Sequence, residues 1–141
     1  QSFRVFCVMG DGECHEGSVW EAAMFAAHYR LDQVYALIDY NHYADHDDVD
    51  VLMNLQPFQA KWEQFGWETA YVEQGNDVHQ IIRALRGFSA PDKPKCLIAN
   101  TLKNYGVPSW AETHLHQAAG ETLASGIREG RSLLNATDHH A

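Results

Sequence analysis

A short apolar run, Phe3-Arg4-Val5-Phe6-Cys7-Val8-Met9, stops at Gly10-Asp11-Gly12, and this junction restricts the fold more than any other feature of the chain. β-branched and aromatic residues in a run of this length read as a core strand, and Gly10 ends it. Beyond the loop from Gly10 to Gly17, Ser18 is placed to cap a helix through Trp20, Ala23, Met24, Ala27 and His28, a stretch rich in alanine and free of Gly and Pro. Trp20, Met24 and Phe25 are expected on the packed face of that helix. Val34-Tyr35-Ala36-Leu37-Ile38-Asp39 follows as a second apolar strand.

The remainder repeats the alternation. Asn41 to Asp50 is strongly polar and reads as a loop. Pro57 opens a short amphipathic helix through Phe58, Lys61, Trp62 and Phe65 that Gly66 stops, and Trp67 to Val72 is a third strand. Asp77 caps a helix with Val78, Ile81, Ile82 and Leu85 on one face, and Cys96-Leu97-Ile98-Ala99 is a fourth strand. A long loop, Asn100 to His116, leads to a C-terminal helix interrupted by Gly126 and Gly130. The order β-α-β-α-β-α-β predicts an α/β fold, a parallel sheet flanked by helices. A first strand with no helix before it leaves a sheet edge or face uncovered. The expectation is that residues 1–141 are the latter part of a single domain that is incomplete at its N-terminus, with no second domain.

Composition narrows the function classes. With 45% apolar residues in 141, the chain can bury a core. Its net charge of −9, with Lys61, Lys93, Lys95 and Lys103 dispersed, offers no footprint for nucleic acid. No apolar run reaches the roughly 20 residues of a membrane span, and no basic segment followed by an apolar one stands at the start of these residues. A cytoplasmic location is the resulting expectation. Cys7, Cys14 and Cys96 have no Cys-x-x-Cys spacing and read as reduced core thiols.

In an open parallel sheet, ligands bind outside the carboxyl ends of the strands. Asp11 follows the first strand, and Asn41 closes the second 30 residues later, so both emerge at one sheet edge. A carboxylate and an amide oxygen are hard donors, suited to Mg²⁺ or Ca²⁺ and ill suited to zinc. Mg²⁺ usually takes a few oxygens from protein and the rest from phosphate and water. Glycines beside Asp11 let the backbone approach a bulky anion, and the following helix N-terminus favours negative charge. Alone, Gly-Asp-Gly is more often a turn; with a strand before it, a helix after it and Asn41 at that spacing, it is a specific pattern.

That pattern resembles the thiamine-diphosphate-binding motif, and Gly10-Asp11-Gly12-Glu13-Cys14-His15-Glu16-Gly17-Ser18-Val19-Trp20-Glu21-Ala22-Ala23-Met24, Leu31-Asp32, Asp39-Tyr40-Asn41 and Lys61-Trp62-Glu63-Gln64-Phe65-Gly66-Trp67-Glu68 are similar to the transketolase family. The similarity extends from about Phe3 to about His116. It implies that Asp11 and Asn41 bind Mg²⁺ (or Ca²⁺) through side chains, that the Tyr43 carbonyl is a third ligand, and that Gly10 and Gly12 pack beside the diphosphate of thiamine diphosphate. Glu16 falls on a family glutamate at the subunit contact, or is simply a carboxylate at a helix N-terminus. His116 falls near a family histidine facing diphosphate and substrate, although His114 and His116 also read as loop histidines. The terminal His139 and His140 carry no assignment.

Three departures accompany the likeness. Asp45-His46-Asp47 replaces the family's Ile-Asp-Gly, Asn104 replaces the first glycine of a Gly-x-Gly loop, and the family's upstream half is absent. The family's pyrimidine-binding domain, which carries a glutamate needed for activity, is also absent. The implied protein is the N-terminal subunit of a split transketolase or a fragment of one. It would move a two-carbon ketol unit from a ketose phosphate to an aldose phosphate with a partner subunit in a homo- or hetero-oligomer. The rivals are a deoxyxylulose-phosphate synthase, a 2-oxo-acid dehydrogenase E1 component, a divalent-metal site for another phosphorylated ligand, and a non-catalytic interaction subunit.

Overall fold

The computed structural model describes residues 3–44, 47–111 and 119–137, and the chain divides into two compact units, residues 1–101 and residues 102–141. In the first unit the elements are β1 (Val5–Gly10), a 3₁₀ turn (Gly12–His15), α1 (Gly17–His28), β2 (Val34–Tyr40), β3 (Tyr43–Ala44), β4 (Asp47–Asp48), α2 (Val49–Met53), α3 (Phe58–Gln64), β5 (Glu68–Val72), α4 (Val78–Gly87) and β6 (Lys95–Asn100). β1, β5, β2 and β6 form one parallel sheet in the order β1-β2-β6-β5, the α/β architecture expected from the sequence.

Alternation along the strands sorts side chains to two faces. Ala36, Ile38 and Tyr40 of β2 and Cys96 and Ile98 of β6 pack against Ala23 and Ala26 of α1, Phe58 and Trp62 of α3, and Trp67. Leu97, Ala99, Val72 and Leu37 face the other way, against Ile81, Ala84, Leu85 and Phe88 around α4. The Trp67 indole N–H donates to the Ala23 carbonyl at 2.9 Å inside the first layer, tying α1 to the start of β5. Small alanines let α1 lie close to the sheet, so Met24 and Phe25 turn outward and are exposed, contrary to their expected packing. The Phe25 ring instead lies against that of Tyr29 on the same outer surface, 4.4 Å between centroids and tilted by 48°. Among the described residues β1 pairs only with β2, and its Phe6 and Val8 are exposed. Cys14 and Cys96 are buried thiols as expected, whereas Cys7 is exposed on that strand.

Two local expectations shift. Ser18 does not cap α1; the helix starts two residues earlier, at Gly17, and Glu16 takes the cap position without a side-chain hydrogen bond. The 3₁₀ turn delivers the chain already coiled, with the Glu16 N–H closing onto the Glu13 carbonyl. The polar segment after Asn41 is not purely loop, since β3 and β4 pair as a minimal hairpin that runs directly into α2.

The second unit holds α5 (Pro108–Ala111) and α6 (Gly120–Thr137). α6 is continuous through Gly126 and Gly130, so neither glycine interrupts it. Gly126 is the surface on which the Trp110 indole sits: a Cβ there would lie 2.1 Å from the ring. The Ser109 N–H donates to both carboxylate oxygens of Glu129 at 3.3 Å. Asn104 adopts a left-handed φ of 59°, which Asn tolerates where a glycine would otherwise serve.

Candidate functional site

The parallel register brings the ends of β1 and β2 together, with Gly10 opposite Asp39. One residue past β1, the Asp11 N–H still donates to the Asp39 carbonyl at 3.1 Å, which holds Asp11 at the sheet edge. Its carboxylate then takes two backbone donors: Oδ1 accepts from the Gly12 N–H at 2.8 Å and Oδ2 from the His42 N–H at 2.7 Å. The second bond crosses 31 residues and seats the Asn41–Tyr43 turn on the Asp11 side chain. The sequence-predicted pair of strand ends is therefore one structural unit.

Asn41 is fixed from both sides of its amide. Its Nδ2 donates to an Asp39 oxygen at 3.1 Å and its Oδ1 accepts from the Tyr43 N–H at 3.0 Å. Asp39 is held in turn by the Thr101 hydroxyl, which donates to its other oxygen. Gly12 cannot carry a side chain here, because a Cβ would stand 2.8 Å from the Ala44 Cβ of β3. Gly10 sits where β1 ends, and its N–H donates to Glu13 Oε2 at 2.7 Å. The Tyr43 carbonyl belongs to the same turn, since β3 starts at that residue. Glu16 lies at the start of α1 and is exposed. His116, with His114, Asp45, His46, His139 and His140, lies outside the described residues.

Asp11 is 1% exposed, and its partners among the described residues are backbone N–H groups, with no ion pair formed. Burial pushes its carboxyl above the ordinary carboxylate value, against the pull of the two N–H bonds, and the nearby Asp39 charge adds to the push. A buried carboxylate without a counter-charge is costly, and a cation held beside it would offset that cost. Each oxygen accepts one hydrogen bond and keeps acceptor capacity, as does Asn41 Oδ1. An acidic oxygen, an amide oxygen and a carbonyl, all hard, fit Mg²⁺ or Ca²⁺. Among the described residues no group of three or more His, Cys, Asp or Glu side chains is placed to hold a metal ion. No helix there is long and apolar enough to cross a membrane.

Three residues of this constellation have no signal in the sequence. Thr101 holds Asp39, while His42 and Asn100 join across the ends of β2 and β6, with Nε2 to Oδ1 at 2.8 Å. The strand order that makes β2 and β6 neighbours, which no single-sequence pattern states, brings them together.

The family described as "Transketolase, thiamine diphosphate binding domain" matches residues 2–137. The chain is 41% identical over 109 residues to the mouse (Mus musculus) protein "Transketolase-like protein 2", covering 77% of this chain and 17% of that one. It is 38% identical over 106 residues to human (Homo sapiens) "Transketolase", covering 75% of this chain and 16% of that one. Among solved structures, transketolase from Campylobacter jejuni superposes with a TM-score of 0.81 at 26% identity, over 93% of this chain and 20% of that one. Transketolase from Leishmania mexicana has the same fold, with a TM-score of 0.69 at 16% identity over 98% of this chain and 24% of that one. The chain thus spans about a fifth of the length of the relatives it matches.

Proposed function

The chain belongs to the transketolase family through its thiamine-diphosphate-binding domain, and on that premise we propose that it supplies the diphosphate- and metal-holding half of a transketolase-type transferase. Both compact units are read as the latter part of that one domain, in residues 1–141. The reaction assigned is transfer of a two-carbon ketol unit from a ketose phosphate to an aldose phosphate, with a pyrimidine-binding domain contributed from outside these residues, in a homo- or hetero-oligomer. Thiamine diphosphate, when bound, supplies the carbanion-stabilising chemistry that such a transfer needs.

The observation that carries the reading is the buried Asp11 carboxylate, locked by the His42 N–H onto the turn that bears Asn41. In this reading Asp11 and Asn41 give side-chain oxygens to Mg²⁺ (or Ca²⁺), and the Tyr43 carbonyl completes the protein's share of the shell. Gly10 and Gly12 flank the diphosphate. Asp39 and Thr101 orient the Asn41 amide so that its oxygen stays on the metal side. Glu16 sits at a subunit contact, and its exposure in the isolated chain is compatible with that place. His116 is assigned to face the diphosphate and substrate.

Calorimetry of thiamine diphosphate with Mg²⁺ on the intact protein, with and without Asp11→Ala, tests the ligand set. Loss of binding in the variant is expected; undiminished binding contradicts the assignment. A product assay offering ketose and aldose phosphates against pyruvate tests the reaction class, and turnover of pyruvate alone removes the transketolase assignment in favour of the other thiamine-diphosphate enzymes.

A further inference from the structure

We propose that the His42 side chain is a positioning residue that, with Asn100, clamps the Asn41–Tyr43 turn in metal-ligating geometry, an inference that rests on the metal site proposed above. His42 has a left-handed φ of 68°, a backbone conformation that disfavours residues with a side chain and that glycine adopts freely. A histidine persists in such a conformation only when its surroundings over-determine it.

The surroundings do so at four points. The His42 N–H donates to Asp11 Oδ2 at 2.7 Å, and its carbonyl accepts from the Val49 N–H at 2.9 Å. Its ring lies 4.1 Å from the buried Tyr40 ring, centroid to centroid, and its Nε2 donates to Asn100 Oδ1 at 2.8 Å. The first two ties use the backbone and would survive any side chain. The last two need the imidazole, and they carry the turn across to β6.

Asn100 is itself an anchored post. Its Nδ2 donates to the Glu73 carbonyl at 3.1 Å, and its carbonyl accepts from the Gly75 N–H at 2.7 Å. The chain passes so close there that a Cβ on Gly75 would stand 2.6 Å from that carbonyl oxygen. A continuous set of bonds therefore runs from the Asp11 carboxylate through His42 and Asn100 to the loop between β5 and α4. The consequence is that the ligand turn is referred to three strand ends of the sheet instead of hanging from β2 alone, and a ligand held in place before the metal arrives binds it more tightly.

The test uses Mn²⁺ as probe, titrated into the intact protein at saturating thiamine diphosphate, with free Mn²⁺ read by electron paramagnetic resonance. His42→Gly separates the two roles of this position, because it relieves the left-handed backbone while deleting the clamp. The clamp predicts that His42→Gly and Asn100→Ala each weaken Mn²⁺ binding about five- to tenfold, the scale of one lost buried hydrogen bond. His42→Gln, whose amide N–H can reach Asn100 Oδ1, should restore most of the affinity. Mn²⁺ affinity in His42→Gly equal to or tighter than wild type overturns the clamp, as does a His42→Gln variant no better than His42→Gly. Asp11→Asn keeps the metal reading separable: if it binds Mn²⁺ as wild type does, or if wild type binds none, the metal site itself falls and the clamp with it. Loss in Asp11→Asn without loss in His42→Gly overturns the clamp alone.

Discussion

Gly12→Ala measures how tightly the β3 turn is pressed onto the start of the site. The added methyl would meet the Ala44 Cβ at 2.8 Å and its Cα at 3.2 Å, the first contact falling roughly 0.6 Å short of the 3.4 Å at which such contacts become ordinary. Neither atom is the far end of a flexible side chain, so the β3 backbone has to move. Overpacking of this kind costs about 1–3 kcal/mol. With a urea m-value of about 1–3 kcal/mol/M, a loss of about 2 kcal/mol moves the midpoint down by about 1 M. Ala44→Gly removes the shorter contact and leaves only the one at 3.2 Å. Alone it should cost about 1 kcal/mol, through a lost buried methyl and a looser unfolded chain. In Gly12→Ala/Ala44→Gly, however, it should recover most of the first loss, giving a favourable coupling of at least about 1 kcal/mol. Urea denaturation of the four proteins closes the cycle. Effects that add to within about 0.5 kcal/mol would show that the two residues do not press on one another, and would refute the claim that Gly12 is required by β3.

Two further outcomes follow from side-chain environments. At pH 8.5 a thiol reagent should label exposed Cys7 rapidly while Cys14, whose thiol burial pushes up to about 12, and fully buried Cys96, also pushed well up, react only after unfolding; three thiols labelling at similar rates would contradict this. Asp77 caps α4 by accepting from the His79 N–H at 2.8 Å, and that bond, with those from Gln80, holds its carboxyl below the ordinary value of 3.8. A depressed folded-state value means the stabilisation is present above pH 3.8 and is lost as pH falls through the lowered value. Asp77→Ala should therefore lower the urea midpoint at pH 7, and its gap to wild type should narrow toward pH 3; a gap that stays constant would refute the assignment.

The elements that carry the core were legible because their periodicity is physical. β2 and β6 are runs whose alternate residues meet two helical layers, β1 and β5 are less buried runs beside them, and α4 has its apolar face on the spacing of a helix. The two ligand candidates were legible for a related reason, since Asp11 and Asn41 each stand one residue beyond a strand end that apolar patterning marks. What was not legible lies where local pattern is too short or context decides. β3 and β4 are two residues each and carry no detectable alternation. Gly126 reads as a break until the Trp110 indole occupies the space it leaves. The thiols divide by strand position, because Cys7 stands on the edge strand while Cys96 stands on β6 with a neighbour on either side. His42 and Asn100 stand 58 residues apart, and only the adjacency of β2 and β6 makes them partners.

Competing demands on one carboxylate explain the form of the site. Asp11 satisfies two partly buried backbone N–H groups, so it is a structural cap for the 3₁₀ turn and for the Asn41–Tyr43 turn. Those same bonds orient its oxygens and favour its ionised form, while burial and the neighbouring Asp39 charge disfavour it. A residue of the same shape without the charge resolves that conflict only by spoiling the cap: in Asp11→Asn the amide nitrogen faces either the Gly12 or the His42 N–H, donor against donor. A cation, as proposed above, would resolve it without loss, because it would neutralise the charge and draw on lone pairs that the two N–H groups leave unused. Under the function proposed above, the burial of this carboxylate is a cost to the metal-free fold that a bound cation would offset.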